Sequence, residues 1–103
     1  MKTERIISDL IKSLVDSGVY KDEYVAIKDI VVTHIEKKIE TYNKTIQAFQ
    51  KKHGIDFERF TSTIQNKATP ELEDDWMEWK GAIEMKAAWD EALKEVMEFE
   101  AKV

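Results

Sequence analysis

Apolar residues recur at intervals of three and four along most of the chain, the spacing that places them on one face of an α-helix. Three breaks interrupt the pattern, at Gly18, at Gly54 and at Ala68-Thr69-Pro70. Glycine favours the left-handed conformation that ends helices, and a threonine before a proline is a common helix start. The pattern therefore predicts an all-α chain with four helices, over residues 4–17, 22–53, 56–65 and 69–101.

The second and fourth predicted helices are long and carry extended apolar stripes. In the second helix the stripe is a heptad-like seam of Val32, Ile35, Ile39, Tyr42, Ile46 and Phe49. In the fourth helix it consists of Leu72, Trp76, Trp79, Ile83 and Ala87. Two such helices joined by a short connector helix predict an antiparallel hairpin. Gly81 within the fourth helix indicates either that a neighbouring helix approaches closely there or that the helix bends, and we favour the close approach.

The first predicted helix presents apolar side chains that a thin hairpin cannot cover. They are Ile7, Leu10, Ile11 and Leu14. We interpret these four residues as a dimerisation surface, which predicts a homodimer.

The length of the chain predicts a single domain of residues 1–103. The net charge of −5 is uneven, because residues 1–53 carry +2 and residues 54–103 carry −7. We therefore divide the chain into a dimerisation half, residues 1–53, and an acidic partner-binding half, residues 54–103, which suits a basic partner. The chain lacks an apolar run of about 18 residues and a leader-like N-terminus, which predicts a cytoplasmic protein without a membrane partner.

The sequence gives little support for catalysis. The chain has no cysteine, which excludes disulfides and a cysteine nucleophile. His34 and His53 are too far apart to share a helix turn, neither belongs to an ExxH pair, and no Gly-rich phosphate loop is present. We assign no catalytic residue, no metal ligand and no cofactor.

Two alternatives stay open. Asp75 with Glu78, and Glu95 with Glu98, form carboxylate pairs of the kind that hold Mg²⁺ in all-α nucleotide pyrophosphohydrolases. Both pairs lie on one predicted helix, roughly 30 Å apart, so they converge only if a second chain contributes. The second alternative is a DNA-binding regulator that uses Lys2 and Arg5 at the N-terminus of a dimer.

Tryptophan and methionine are concentrated in the fourth helix, and both are enriched at binding surfaces. Trp76 and Trp79 lie on the predicted core stripe, whereas Trp89 and Met85 lie off it by their spacing. Our candidate partner-binding residues are Trp89, Met85, Glu91, Trp76 and Trp79.

Two segments resemble known proteins. Residues 10–36, LIKSLVDSGVYKDEYVAIKDIVVTHIE, resemble the helix-turn-helix part of ribbon-helix-helix regulators and of the antitoxins built on them. Residues 54–60, GIDFERF, and residues 74–79, DDWMEW, resemble the GxxFExF and DDWxEW motifs in the tail of small prokaryotic antitoxin-like proteins. The resemblance implies a dimer that neutralises a cognate toxin encoded beside it.

Overall fold

The computed structural model describes the backbone of residues 2–101 and the side chains of residues 5–98. This part of the chain contains four helices and no strand, namely α1 (Lys2–Asp16), α2 (Glu23–His53), α3 (Phe57–Lys67) and α4 (Pro70–Ala101). The predicted all-α class is confirmed, and the predicted helix bounds agree within two residues. None of these helices is long and apolar enough to cross a membrane.

Local capping explains where the helices begin and end. Gly18 and Gly54 adopt positive φ angles of 81° and 69° after α1 and α2, a conformation that costs glycine little. The Asp22 and Asp56 carboxylates accept the N–H groups of Val25 and Arg59 at 2.9 and 2.8 Å. At the start of α4 the hydroxyl of Thr69 caps in the same way.

The chain forms two compact units with a boundary between His34 and Ile35, inside α2. The predicted division into halves lies nineteen residues later, after His53. The difference arises because the seam from Ile35 to Phe49 is buried or half-buried in the C-terminal unit. Most of α2 therefore belongs to the unit that also contains α3 and α4.

The core of the C-terminal unit is aromatic. Phe49 of α2, Phe60 of α3 and Trp79 of α4 are buried together. The Trp79 ring lies 5.7 Å from that of Phe49 and 5.4 Å from that of Phe60, between ring centroids. Partly buried side chains pack around these three: Ile46, Ile55, Phe57, Ile64, Leu72, Trp76 and Ile83. One residue from each helix thus fixes how α2, α3 and α4 meet.

The N-terminal unit consists of α1, the connecting loop and the start of α2. Its loop is fixed by the Tyr20 hydroxyl, which donates to the Asp29 carboxylate at 2.5 Å. Among its described side chains Ala26 alone is buried. The remaining apolar side chains are exposed or half-exposed, so this unit has almost no core of its own.

Candidate functional site

The structure assigns different environments to the three tryptophans. Trp79 is fully buried, so its side chain is not available to a partner, and we remove it from the partner-binding set. Trp76 is half-buried and its Nε1 donates to Thr61 Oγ1 at 2.9 Å, which ties α4 to α3. Trp89 is also half-buried. The indole rings of Trp76 and Trp79 therefore help to build the C-terminal unit.

The large apolar residues exposed on the described part of α4 are methionines. Met77 is 66% exposed and Met85 is 41% exposed, and Met97 is exposed farther along the helix. Met85 is among the predicted partner-binding residues and Met77 is not, although Met77, Gly81 and Met85 follow one another at intervals of four. That spacing places the three residues on one face of the helix. We call Met77, Gly81, Met85 and the exposed Ala88 the outer face of α4.

Gly81 lies at the centre of this outer face. A Cβ atom added to Gly81 would meet no atom within 4 Å. The expectation that a neighbouring helix approaches Gly81 closely is therefore wrong within this chain. A glycine inside a helix costs about 1 kcal/mol relative to alanine, and packing within the described chain gives no reason for that cost.

Acidic residues accompany the outer face. Glu78, Glu84 and Glu91 are exposed on α4. Glu84 makes a 3.8 Å ion pair with the exposed Lys80, a contact of the kind that contributes little to stability. The predicted partner-binding residue Glu91 is thus accessible, and its helix presents methionine side chains beside carboxylates.

Asp75 is committed to a contact within the chain. Its Oδ2 lies 2.7 Å from Lys52 Nζ and 2.9 Å from His53 Nε2, at the C-terminal end of α2. The bond with Lys52 and the contact with His53 hold the pKa of the Asp75 carboxyl below its usual range, and burial opposes them. The ring of His53 lies 4.2 Å from that of Phe60, between centroids. This cluster connects α2 to α4 beside the aromatic core.

The acid pairs of the hydrolase alternative are not brought together in one chain. Both pairs lie on α4, and Asp75 contacts Lys52 and His53 rather than Glu78. Among the residues that the structure describes, no group of three or more histidines or acids is placed to hold a metal ion.

The N-terminal unit contains a second candidate surface, an apolar groove of about 700 Å³ between α1 and α2. We call it the N-terminal groove. Its walls are Ile7, Leu10, Ile11, Ser13, Leu14, Ser17, Ile27, Ile30 and Val31. All four predicted dimerisation residues line it. The α2 wall of the groove, formed by Ile27, Ile30 and Val31, was not among the predicted dimerisation residues.

The DNA-binding alternative depends on the N-terminus. Arg5 is exposed on α1, whereas the side chain of Lys2 lies outside the described residues. Residues 1–34 contain five Lys/Arg and six Asp/Glu, a net charge of −1. Phosphate contacts require a positively charged surface, and a net charge of −1 does not favour one.

Comparison of the chain with known protein families, with curated proteins and with solved structures finds no significant match.

Proposed function

We propose that this chain is a protein–protein interaction module that acts as an antitoxin-like neutraliser of a basic partner protein. The outer face of α4 binds the partner, and the N-terminal unit makes the module a homodimer. The observation that carries the proposal is the stripe of exposed Met77, half-buried Gly81 and exposed Met85, with open space beside Gly81. Flexible methionine side chains and a glycine together suit the close docking of another protein surface.

An α2–α4 hairpin is part of this proposal, because it would hold the outer face pointing away from the core. His53 of α2 contacts Asp75, and Phe49 stacks on Trp79. Ile46 and Ile83 pack on the same cluster. As the residue number falls along α2, the residue number of the contacting side chain in α4 rises. This is the order that an antiparallel hairpin requires.

The charge of the module supports a basic partner. Residues 54–103 carry a net charge of −7, and exposed carboxylates stand beside the methionines of α4. Complementary charge speeds association and rejects acidic competitors. A toxin that binds RNA or nucleotides has a basic surface of this kind, and the GIDFERF and DDWMEW motifs support the same proposal through their resemblance to antitoxin-like proteins. Restored growth of cells arrested by the neighbouring toxin is the direct assay of neutralisation.

Two substitutions at Gly81 test the stability of the chain and the binding of the partner separately. Gly81→Ala should stabilise the isolated chain by about 1 kcal/mol, because alanine favours the helix and the space beside Gly81 is open. Gly81→Leu should weaken partner binding by roughly 10- to 100-fold, because overpacking a close contact costs about 1–3 kcal/mol. Thermal unfolding and affinity capture of the partner measure the two effects.

Ala87→Leu is the matched control for Gly81→Leu. Ala87 is exposed on the same helix but lies outside the outer face, so the same added side chain should leave partner capture unchanged. Equal losses for the two leucine variants, or full retention by Gly81→Leu, would show that the partner binds elsewhere.

A further inference from the structure

We infer that the N-terminal groove is filled by a second copy of this chain, and that the helices of the N-terminal unit become stable only when two copies associate. This inference rests on the proposed function and names the partner of one of its two surfaces. It adds the α2 residues Ile27, Ile30 and Val31 to the predicted dimerisation surface. It also makes the fold of the N-terminal unit dependent on protein concentration.

The N-terminal unit buries very few of its own described side chains. Ala26 is its one buried residue among those with described side chains, whereas Leu10 in the groove is 61% exposed. Segments of fewer than about 40 residues seldom fold without a metal, a disulfide or a partner subunit. The chain has no cysteine, and no metal cluster occurs among the described residues. A helix of fifteen residues such as α1 is marginal alone.

The lining of the N-terminal groove is almost entirely apolar. Seven of its nine lining residues are aliphatic, the other two are serines, and no charged residue lines it. A smaller neighbouring groove shares Ile7, Ile11 and Ile27, and Ser8 and Glu23 also line it. Interfaces that persist throughout a protein's lifetime are apolar in this way, whereas transient interfaces resemble the rest of the surface. The groove therefore fits a permanent partner.

The area that two copies would bury at the N-terminal groove can be compared with that of specific protein interfaces. A large aliphatic side chain removes on the order of 100 Å² from water when it becomes fully buried. The aliphatic walls are about half exposed, so two copies with their polar rims would bury on the order of 1,000 Å², the size at which specific interfaces begin. A symmetric pairing also satisfies the grooves of both copies at once.

The net charge of the N-terminal unit favours a second copy over a basic partner in the groove. The N-terminal unit is almost neutral, with a net charge of −1, while residues 54–103 carry −7. Two nearly neutral surfaces associate without strong repulsion, whereas a basic protein gains little there and much more at α4. A second copy is also available as soon as the chain is made. Charge thus assigns the groove to self-association and α4 to the other partner.

Sedimentation equilibrium of the full chain, with circular dichroism at 222 nm over the same dilution series, tests the inference. We expect a dimer at micromolar concentration and a helical signal that falls on dilution as the dimer dissociates. Fluorescence should stay constant during that loss, because all three tryptophans lie in the C-terminal unit. Leu10→Glu should give a monomer with reduced helical signal and unchanged fluorescence.

Lys12→Glu is the control, because it adds the same acidic group to α1 at an exposed position that does not line the groove. This variant should remain dimeric. The inference would be overturned if the wild type were still a monomer at a concentration about 100-fold above the micromolar range, or if Leu10→Glu were a dimer. A monomer that still captures its partner through α4 overturns this inference and the homodimer, and leaves the proposed role of α4 standing. A dimer that captures no partner overturns the proposed role of α4 alone.

Discussion

Replacing Trp79 with alanine is expected to lower the free energy of unfolding of the C-terminal unit by about 3–5 kcal/mol. Trp79 is fully buried and its ring contacts Phe49, Phe57 and Phe60. The substitution would leave a large cavity where three helices meet, and the surrounding rings cannot close it without losing their own contacts. Small proteins have about 5–15 kcal/mol of stability in total, so the loss is severe. Urea denaturation monitored by circular dichroism measures it.

Trp79→Phe separates cavity formation from hydrogen bonding. The Nε1 of Trp79 is buried and has no hydrogen-bond partner among the described residues, a state that costs a donor about 1–3 kcal/mol. Phenylalanine removes this donor and keeps an aromatic ring in the core. We therefore expect Trp79→Phe to cost clearly less than Trp79→Ala. Equal costs would mean that ring packing does not determine the stability of this unit.

Replacing Asp75 with alanine should cost about 1–2 kcal/mol. The side chains of Asp75 and His53 are both largely buried, and their 2.9 Å contact joins α4 to the C-terminal end of α2. Lys52 is more exposed, so its ion pair with Asp75 contributes less. Asp74→Ala is the matched control, because Asp74 is the adjacent carboxylate and is exposed. Denaturation of the two variants at neutral pH should show a loss for Asp75→Ala only.

The same contact predicts the pH dependence of stability. Lys52 and His53 hold the pKa of Asp75 below its unfolded-state value, so the folded chain favours the charged carboxylate. This contribution is complete above the unfolded-state pKa and is lost as the pH falls below about 4 towards the folded-state pKa. We expect the stability difference between wild type and Asp75→Ala to shrink over that acidic range. A difference that stays constant down to pH 2 would contradict the assigned cause.

The helices could be predicted because their signals are local. Asp56, Thr69 and Pro70 mark helix starts by their own chemistry, and Gly18 and Gly54 mark ends by their backbone freedom. The strand propensity of Ile30-Val31-Val32-Thr33 was overridden by the helical period around it. The buried face of α2 could likewise be predicted from the spacing of its apolar residues alone. Each residue of the predicted seam is buried or half-buried.

The sites depended on long-range contacts that spacing alone does not contain. The contact between His53 and Asp75 joins residues 22 positions apart, and Asp75 had been grouped with Glu78 because they share a helix. The α4 stripe was extended to Ala87, which is exposed, whereas Trp89 is half-buried. An apolar stripe drifts around a long helix, so its later members depend on the path of the neighbouring helix. Gly81 was assigned to close packing because a sequence does not show that the space beside it is open.

Affinity capture with the tagged chain from nuclease-treated lysate of its source cells tests the central claim most directly. The wild type and Gly81→Leu are compared, and the retained proteins are identified and quantified by mass spectrometry. We predict one basic protein in stoichiometric amount with the wild type and its loss from Gly81→Leu. Recovery of the tagged protein alone, or equal capture by both chains, would contradict the account of α4 as a partner-binding helix.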